Sequence, residues 1–335
     1  MISLVSLALI LGLALAGAVY QRAGLASDAR RIPPPGMMVE IGGGHRLHLH
    51  GQGATGPTVI FEAGISASSL SWARIQPAVA AFARTFSYDR IGLAWSDAST
   101  SAITAARCAK QLAELLEAAR VPKPYVFVSH SYGAFVLQAY AHEHPENVAA
   151  LVLVDPIYPE EWMTMTRKAA FRLRGGAFLS RVGAALASVG FVRACLNLLA
   201  SGSTAVPRGA ARAFGSEAAR TLDRLAGEVR KMPVETWPAV QSHWSQAKCF
   251  TSMARHLAGL RASAAEVASC AFPTNVPLTI ITASTQSADY RAEHARMAAR
   301  STHGHHVVAQ SSGHWVHLDE PELVVEEVRR ICRLS

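Results

Sequence analysis

Ser131 stands at the end of an apolar run, between residues small enough for a very tight turn. Residues 125–128 have the Tyr, Val and Phe content of a buried parallel strand, and residues 134–142 have the pattern of a helix. A sharp strand-to-helix turn strains the backbone at the serine, so the positions two before and two after it must be small; Ser129 and Gly133 occupy them. The sequence therefore predicts an exposed serine hydroxyl beside the free N–H groups of a helix N-terminus, which suits a nucleophile.

A histidine near the end of the chain has the chemistry that such a serine requires. His314 follows a predicted strand, residues 305–310, and precedes a predicted final helix, residues 321–333. A serine nucleophile needs a general base that works near neutral pH, and the imidazole side chain has the appropriate pKa. The pair predicts nucleophilic catalysis, with Ser131 as the nucleophile and His314 as the base.

The order of these two residues resembles the α/β-hydrolase superfamily, specifically its bacterial esterase-like and lipase-like serine hydrolases with an N-terminal membrane segment. The turn at Ser131 is similar to the G-x-S-x-G motif of that superfamily, with Ser129 in place of the first glycine. The resemblance extends over nearly all of the chain after residue 37. The other matching segments are residues 59–65, 88–97, 150–156 and 313–322.

Predicted strands alternate with predicted helices through most of the chain, which indicates an α/β fold with a doubly wound, mostly parallel sheet. The alternation stops in residues 157–272, whose composition is that of an inserted helical lid. We therefore divide the enzyme body into a core, residues 37–156 and 273–335, and this lid. The sequence has no glycine-rich phosphate loop and no set of metal ligands, so no cofactor and no metal are expected.

A carboxylate must orient the histidine and stabilise its protonated form, and two candidates remain open. In most relatives the acid follows the penultimate strand, here residues 278–283. That position falls near Gln286, and Asp289 is the nearest acid. In other relatives the acid follows the preceding strand, about two dozen residues beyond the nucleophile, where Asp155 stands. We favour Asp155 and keep Asp289 as the alternative.

The resemblance also implies an oxyanion hole made of two backbone N–H groups. One belongs to Tyr132, the residue after the nucleophile. The other belongs to the loop after the strand of residues 58–63, where Gly64 holds the place of the family's glycine and Ile65 supplies the N–H. A second loop of the family, Y-D-x-x-G-x-G-x-S, also matches this chain, but Ala94 replaces one of its glycines.

Residues 2–19 carry no charge and reach the lower length limit for a helix that spans a hydrocarbon core about 30 Å thick. We expect residues 1–21 to form a transmembrane anchor, and residues 22–36, which contain three consecutive prolines, to form a linker that holds the enzyme off the membrane. A cleavable signal peptide followed by secretion is the alternative, although no Lys or Arg precedes the apolar run. The side of the membrane is left open by the few arginines that follow it.

The predicted lid contains a stretch whose net positive charge is as large as that of the whole chain. Residues 167–231 contain 12 Arg or Lys and 3 Asp or Glu, while the whole chain has a net charge of +8. Within residues 169–200, arginines alternate with large apolar residues, as in a basic amphipathic helix at a membrane surface. A lid whose apolar face covers the site and whose arginines face water fits equally well. Nucleic-acid binding has only charge in its favour and is not expected.

Histidines and cysteines elsewhere have less specific patterns. His48 and His50 share one face of a predicted hairpin strand without a carboxylate or cysteine alongside, so we expect a solvated strand face rather than a metal site. The five cysteines follow no C-x-x-C spacing. Cys249 and Cys270 are either free buried thiols or, outside the cytosol, a disulfide pair.

Together these observations predict a membrane-anchored, cofactor-free serine hydrolase that cleaves carboxylic esters, with lipid-like small molecules as possible substrates. Ser131 excludes the dehalogenases and epoxide hydrolases of the same fold, which need an aspartate at that place. The alternatives are an amide or peptide hydrolase of the same fold and a non-enzymatic ligand-binding protein that keeps the pocket.

Overall fold

A computed structural model describes residues 4–98, 101–203, 209, 227–272 and 274–334. The sheet formed within these residues consists of β1 (Met37–Ile41), β2 (His45–Gln52), β3 (Thr58–Glu62), β4 (Arg84–Tyr88), β5 (Tyr125–His130), β6 (Val148–Val154), β7 (Leu278–Thr282) and β8 (Gly304–Val308). Its order is β1-β2-β4-β3-β5-β6-β7-β8. The strands β1, β2 and β4 pair antiparallel, and all pairs from β4 to β8 are parallel.

The described helices fall into a long apolar N-terminal helix, a set that packs on the sheet and a set between β6 and β7. They are α1 (Leu4–Arg31), α2 (Gln76–Ala80), α3 (Ala105–Ala118), α4 (Gly133–Glu143), α5 (Pro159–Met163), α6 (Arg167–Ser188), α7 (Phe191–Ala200), α8 (Trp237–Trp244), α9 (Ala247–Ala268), α10 (Ala288–Ala298), α11 (Val316–Asp319) and α12 (Pro321–Ile331).

Successive residues of the central strands pack on opposite faces of the sheet. In β5, Phe127 belongs to the apolar cluster on the side of α3 and α4, whereas Val126 and Val128 belong to the cluster on the side of α2 and α12. Both faces are therefore covered, which is why these strands read as continuous apolar runs. The predicted fold, a doubly wound and mostly parallel sheet with a helical insertion, is confirmed.

The N-terminal segment differs from the expected anchor and linker. Helix α1 runs on to Arg31, because residues 22–31 contain good helix formers and no proline. The remaining segment, residues 32–36, is bound to the enzyme body. The indole Nε1–H of Trp95 donates to the Ile32 carbonyl at 3.1 Å, and the His48 imidazole donates to the Pro35 carbonyl.

The expectation of a solvated strand face is wrong for His48. This side chain is fully buried, its Nδ1 lies 2.8 Å from Asp89 Oδ2, and the Trp95 ring lies against it. Burial opposes protonation of His48, but the hydrogen bond to the Asp89 carboxylate raises its pKa. His48 and Asp89 thus form a buried pair, which the sequence hides because its members lie far apart along the chain.

The lid also differs in detail from its sequence pattern. The predicted amphipathic helix of residues 169–200 is two helices, α6 and α7, which meet at an angle of 87°. The bend is at Gly190, whose φ of 73° is readily accessible only to glycine. Cys249 and Cys270 are both free thiols. They lie near opposite ends of α9, about 30 Å apart by the helical rise per residue, so they do not form a disulfide.

Replacing Ala94 with the glycine that the family loop carries is expected to stabilise the protein. Ala94 has a φ of 42°, in the left-handed region. This conformation costs a non-glycine residue about 1–2 kcal/mol, and the greater freedom of glycine offsets roughly half of the gain. Thermal unfolding of Ala94→Gly should therefore show a free energy of unfolding about 0.5–1 kcal/mol higher.

The matched control is Ala292→Gly, at an exposed position inside helix α10. It should lower the free energy of unfolding by about 1 kcal/mol, because glycine is a poor helix former. If Ala94→Gly destabilises the protein as much as Ala292→Gly does, position 94 carries no strain.

Candidate active site

The turn between β5 and α4 holds Ser131 in a strained backbone conformation. Its φ is 53°, and its N–H donates to the Val154 carbonyl at 3.0 Å. A Cβ atom at Gly133 would lie 2.8 Å from Glu62 Cγ and 2.9 Å from the Glu62 carbonyl oxygen. Only glycine fits at position 133, whereas the buried Ser129 shows that a hydroxymethyl group is tolerated on the other side of the turn.

Ser131, His314 and Asp155 form a continuous chain of hydrogen bonds. His314 Nε2 lies 3.0 Å from Ser131 Oγ, and His314 Nδ1 lies 2.6 Å from Asp155 Oδ2. Asp155 directly follows β6, is fully buried and has a φ of 42°. The structure thus brings together three of the predicted site residues. The alternative acid, Asp289, lies exposed in the first turn of α10.

The Asp155 carboxylate has two further hydrogen-bond donors. The Ala283 N–H donates to Oδ1 at 3.0 Å, and the Gln286 side-chain amide donates to Oδ2 at 2.7 Å. Gln286 stands where most relatives carry the acid, and here it supports an acid from the neighbouring strand. Sequence reasoning located this position but missed its role, because an amide gives no signal of its own.

The loop that carries His314 is held from two sides. The ring of His130, directly before Ser131, donates from Nε2 to the His314 carbonyl at 2.9 Å. Burial, reinforced by the neighbouring His317 and His314, lowers the pKa of His130 well below its usual value, so the ring is neutral. On the other side, the Gly313 N–H donates to Asp319 Oδ2 at 2.8 Å. Asp319, in the short helix α11, thus braces the histidine loop.

The two predicted oxyanion donors lie at the ends of neighbouring strands. Tyr132 is the N-terminal cap residue of α4, and Ile65 lies in the loop that follows β3. In the part of the chain that the structure describes, neither N–H donates to a backbone carbonyl. The role of the two N–H groups in an oxyanion hole stays a prediction.

Arg90 connects the two sides of this predicted oxyanion hole. Its buried guanidinium donates to the carbonyls of Ala63, at 2.7 Å, and of Gly64, and it pairs with the Glu62 carboxylate. The guanidinium also lies over the Tyr132 ring, 5.5 Å from the ring centre. Burial opposes the charge of Arg90, but the Glu62 carboxylate raises its pKa. Sequence reasoning missed this contact, because Arg90 lies far along the chain from Glu62 and Tyr132.

The side chains at this site can carry out nucleophilic and acid–base chemistry. Among the described residues, no group of three or more His, Cys, Asp or Glu is arranged to hold a metal ion. The hydroxyl, imidazole and carboxylate in series are the groups needed to activate a serine for attack on a carbonyl carbon.

Comparison with known proteins identifies the protein family. The sequence model of the α/β-hydrolase fold family matches residues 57–321, and the chain belongs to this family. Membership supports a hydrolase activity. A curated relative, the uncharacterized protein YqjL of Bacillus subtilis, is 38% identical over 107 residues, which make up 32% of this chain and 42% of YqjL. The match therefore spans less than half of that relative.

Solved structures with the same fold have different activities. The epoxide hydrolase CorEH has a TM-score of 0.61 and 17% identity, covering 88% of this chain and 97% of its own. An esterase from Thermogutta terrifontis has a TM-score of 0.57 and 17% identity, covering 89% of this chain and 97% of its own. Identities this low show the fold alone, so the reaction must be argued from the site.

Gly133→Ala is expected to destabilise the protein by about 1–3 kcal/mol, because the added methyl group meets the backbone and side chain of Glu62 without room to relax. Chemical denaturation would measure the loss. Gly175→Ala is the control, since a Cβ atom there meets nothing within 4 Å and the position lies inside α6. It should stabilise the protein by up to about 1 kcal/mol. Equal stabilities of the two variants would contradict the tight packing of the turn.

Proposed function

We propose that this protein is a serine hydrolase that cleaves carboxylic esters through an acyl-enzyme intermediate. The observation that carries the proposal is the pair of hydrogen bonds from His314, 3.0 Å to Ser131 Oγ and 2.6 Å to Asp155 Oδ2. With Nδ1–H bound to the carboxylate, the neutral imidazole presents the lone pair of Nε2 to the serine hydroxyl. Proton transfer from serine to histidine then needs no rearrangement of the ring.

In the acylation step, Ser131 Oγ attacks the ester carbonyl carbon as its proton passes to His314 Nε2. The carbonyl electron pair moves to the oxygen, and the negative charge lies between the N–H groups of Ile65 and Tyr132. Collapse of this intermediate breaks the bond to the alkoxy oxygen, which takes the proton from His314 and leaves as the alcohol. One such N–H donor contributes about 2.7–4 kcal/mol in a well-studied serine protease.

In the deacylation step, a water molecule transfers a proton to His314 Nε2 and attacks the acyl carbon. Collapse of the second intermediate returns that proton to Ser131 and releases the carboxylic acid. Asp155 keeps its negative charge throughout and stabilises the imidazolium that forms in each step. No metal, redox group or other co-reactant is needed for this cycle.

We further propose that α1 anchors the enzyme in a membrane and that its substrates are lipid-like esters. Within the described residues, α1 is the one unbroken helix that is long and apolar enough to span a bilayer. Its first turns expose large apolar side chains, with Leu4 at 86% and Leu13 at 74% exposure. Such a surface is stable in lipid rather than in water.

The nucleophile is tested by Ser131→Ala in the full-length protein. Without the hydroxyl there is no acyl-enzyme, so the rate of hydrolysis of short p-nitrophenyl esters should fall by several orders of magnitude, about 10⁶-fold in a comparable protease. A fluorophosphonate probe should label the unsubstituted protein and leave the variant unlabelled. Absence of labelling and of ester and amide hydrolysis in the unsubstituted protein would point instead to a binding protein.

The acid is tested by a matched pair of isosteric substitutions. Asp155→Asn should lower kcat by about 10⁴-fold, because the amide no longer favours the imidazole tautomer that accepts the serine proton. Asp289→Asn should leave kcat close to that of the unsubstituted protein, since Asp289 is exposed in α10. The reverse pattern in steady-state kinetics would assign the acid to Asp289.

A further inference from the structure

The C-terminal half of α1 packs against the lid instead of leading freely into the linker. At Gly17 the helix backbone approaches the bend between α6 and α7 so closely that a Cβ atom would lie 2.2 Å from the Val189 carbonyl oxygen. Gly190, at the bend, is also close to α1, since a Cβ atom there would lie 2.7 Å from the Gly17 carbonyl oxygen. Two glycines thus allow α1 and the lid bend to make direct backbone contact.

A buried polar cluster extends this contact along the next turns of α1. The side chain of Arg193, in α7, donates from Nε to Gln21 Oε1 at 2.9 Å and pairs with Asp28 Oδ2 at 2.8 Å. Gln21 also donates to the Ser245 carbonyl at 2.8 Å, and Ser242 donates to Asp28 at 2.8 Å. Gln21 and Arg193 are both buried, so the cluster is part of the folded enzyme. We call these contacts, from Gly17 to Asp28, the α1–lid clamp.

The clamp begins where the apolar segment ends. Residues 2–19 are uncharged, and the first polar and charged residues after Tyr20 are Gln21 and Arg22. A transmembrane helix leaves the hydrocarbon core where such residues begin. Gly17 touches Val189 and Gly190, so in a protein anchored through α1 the bend between α6 and α7 would lie at the depth of the membrane interface.

Next to this bend, the lid exposes basic and large apolar side chains of the kind found at membrane surfaces. Residues 167–200 contain six basic and no acidic residues, and one of the six, Arg193, is buried in the clamp. The exposed side chains of α6 and α7 combine arginines with large apolar groups, a composition typical of helices that lie in the headgroup region. They include Phe171, Arg172, Arg174, Phe178, Arg181 and Phe191.

We propose that the α1–lid clamp holds the α6–α7 face of the lid against an anionic lipid surface, so that the anchor and the lid bind the membrane as one rigid unit. The inference rests on the proposed membrane anchor. The apolar half of α1 and the α6–α7 face of the lid form one continuous surface, because the apolar half of α1 leads directly into the clamp. The positive charge of the lid complements anionic headgroups. A lipid-like ester then reaches the site through the membrane-facing lid.

Lipid contact is tested on the full-length protein in vesicles of phosphatidylcholine and phosphatidylglycerol. A fluorophore attached through Phe191→Cys reports the lid bend, and the same fluorophore on Val234→Cys, an exposed position beside the core, is the control. Labelling of the unsubstituted protein measures the background from native thiols. Lipids brominated on their acyl chains should quench more than half of the fluorescence at position 191 and almost none at position 234. Equal quenching at the two positions overturns the proposal.

The clamp is tested by two equally apolar substitutions in α1. Gly17→Leu places a side chain against the Val189 carbonyl, whereas Gly12→Leu meets nothing within 4 Å. Gly17→Leu should reduce the quenching at position 191 and slow the hydrolysis of a long-chain ester embedded in the vesicles, while hydrolysis of a soluble short ester stays unchanged. Gly12→Leu should behave like the unsubstituted protein in all three measurements.

Identical behaviour of Gly17→Leu and Gly12→Leu overturns the clamp as the device that orients the lid. Failure of the proposed function would look different. If the unsubstituted protein hydrolyses neither soluble nor embedded esters, the serine hydrolase proposal fails, whereas the quenching at positions 191 and 234 still decides whether the lid face contacts lipid.

Discussion

The negative charge of Asp155 is buried at the edge of the sheet, and the neighbouring parts of the site supply the hydrogen-bond donors that stabilise it. A carboxylate in such a place costs several kcal/mol unless hydrogen bonds replace its lost water. Its donors come from two segments: Ala283 and Gln286 lie in the loop after β7, and His314 lies in the loop after β8. They converge because β6, β7 and β8 are parallel neighbours whose carboxyl ends meet at one edge. The position of the histidine is therefore tied to the register of the sheet.

A second buried charge organises the opposite half of the site. Arg90 binds the Glu62 carboxylate and the carbonyls that precede Ile65, and its guanidinium lies over the Tyr132 ring. Between these two halves, the packing of Gly133 against Glu62 holds Ser131 in its strained turn. Positioned donors of this kind stabilise developing charge without having to reorganise during the reaction. Both charged groups, Asp155 and Arg90, are buried in the core.

The fold was predictable because its signals are local: apolar strands, alternating helices and small residues at one sharp turn. The choice between Asp155 and Asp289 was not, since both follow predicted strands. In the structure Asp155 is buried 2.6 Å from His314 Nδ1, whereas Asp289 is exposed in α10. The prediction of a solvated strand face at His48 was wrong for a related reason: Asp89, the partner of His48, follows a different strand. Contacts between distant segments leave no periodic signal in a sequence. The docking of α1 on the lid was missed in the same way, as the prolines after it suggested a free spacer.

The central claim is that Ser131 becomes covalently acylated during ester turnover. Rapid acid quenching of the full-length protein with a short p-nitrophenyl ester, followed by peptide mass spectrometry, measures this directly. The account predicts an acyl group on Ser131 that accumulates and then disappears as substrate is consumed. Turnover without any acylated serine, or an acyl group on another residue that forms and decays at the rate of turnover, would contradict it.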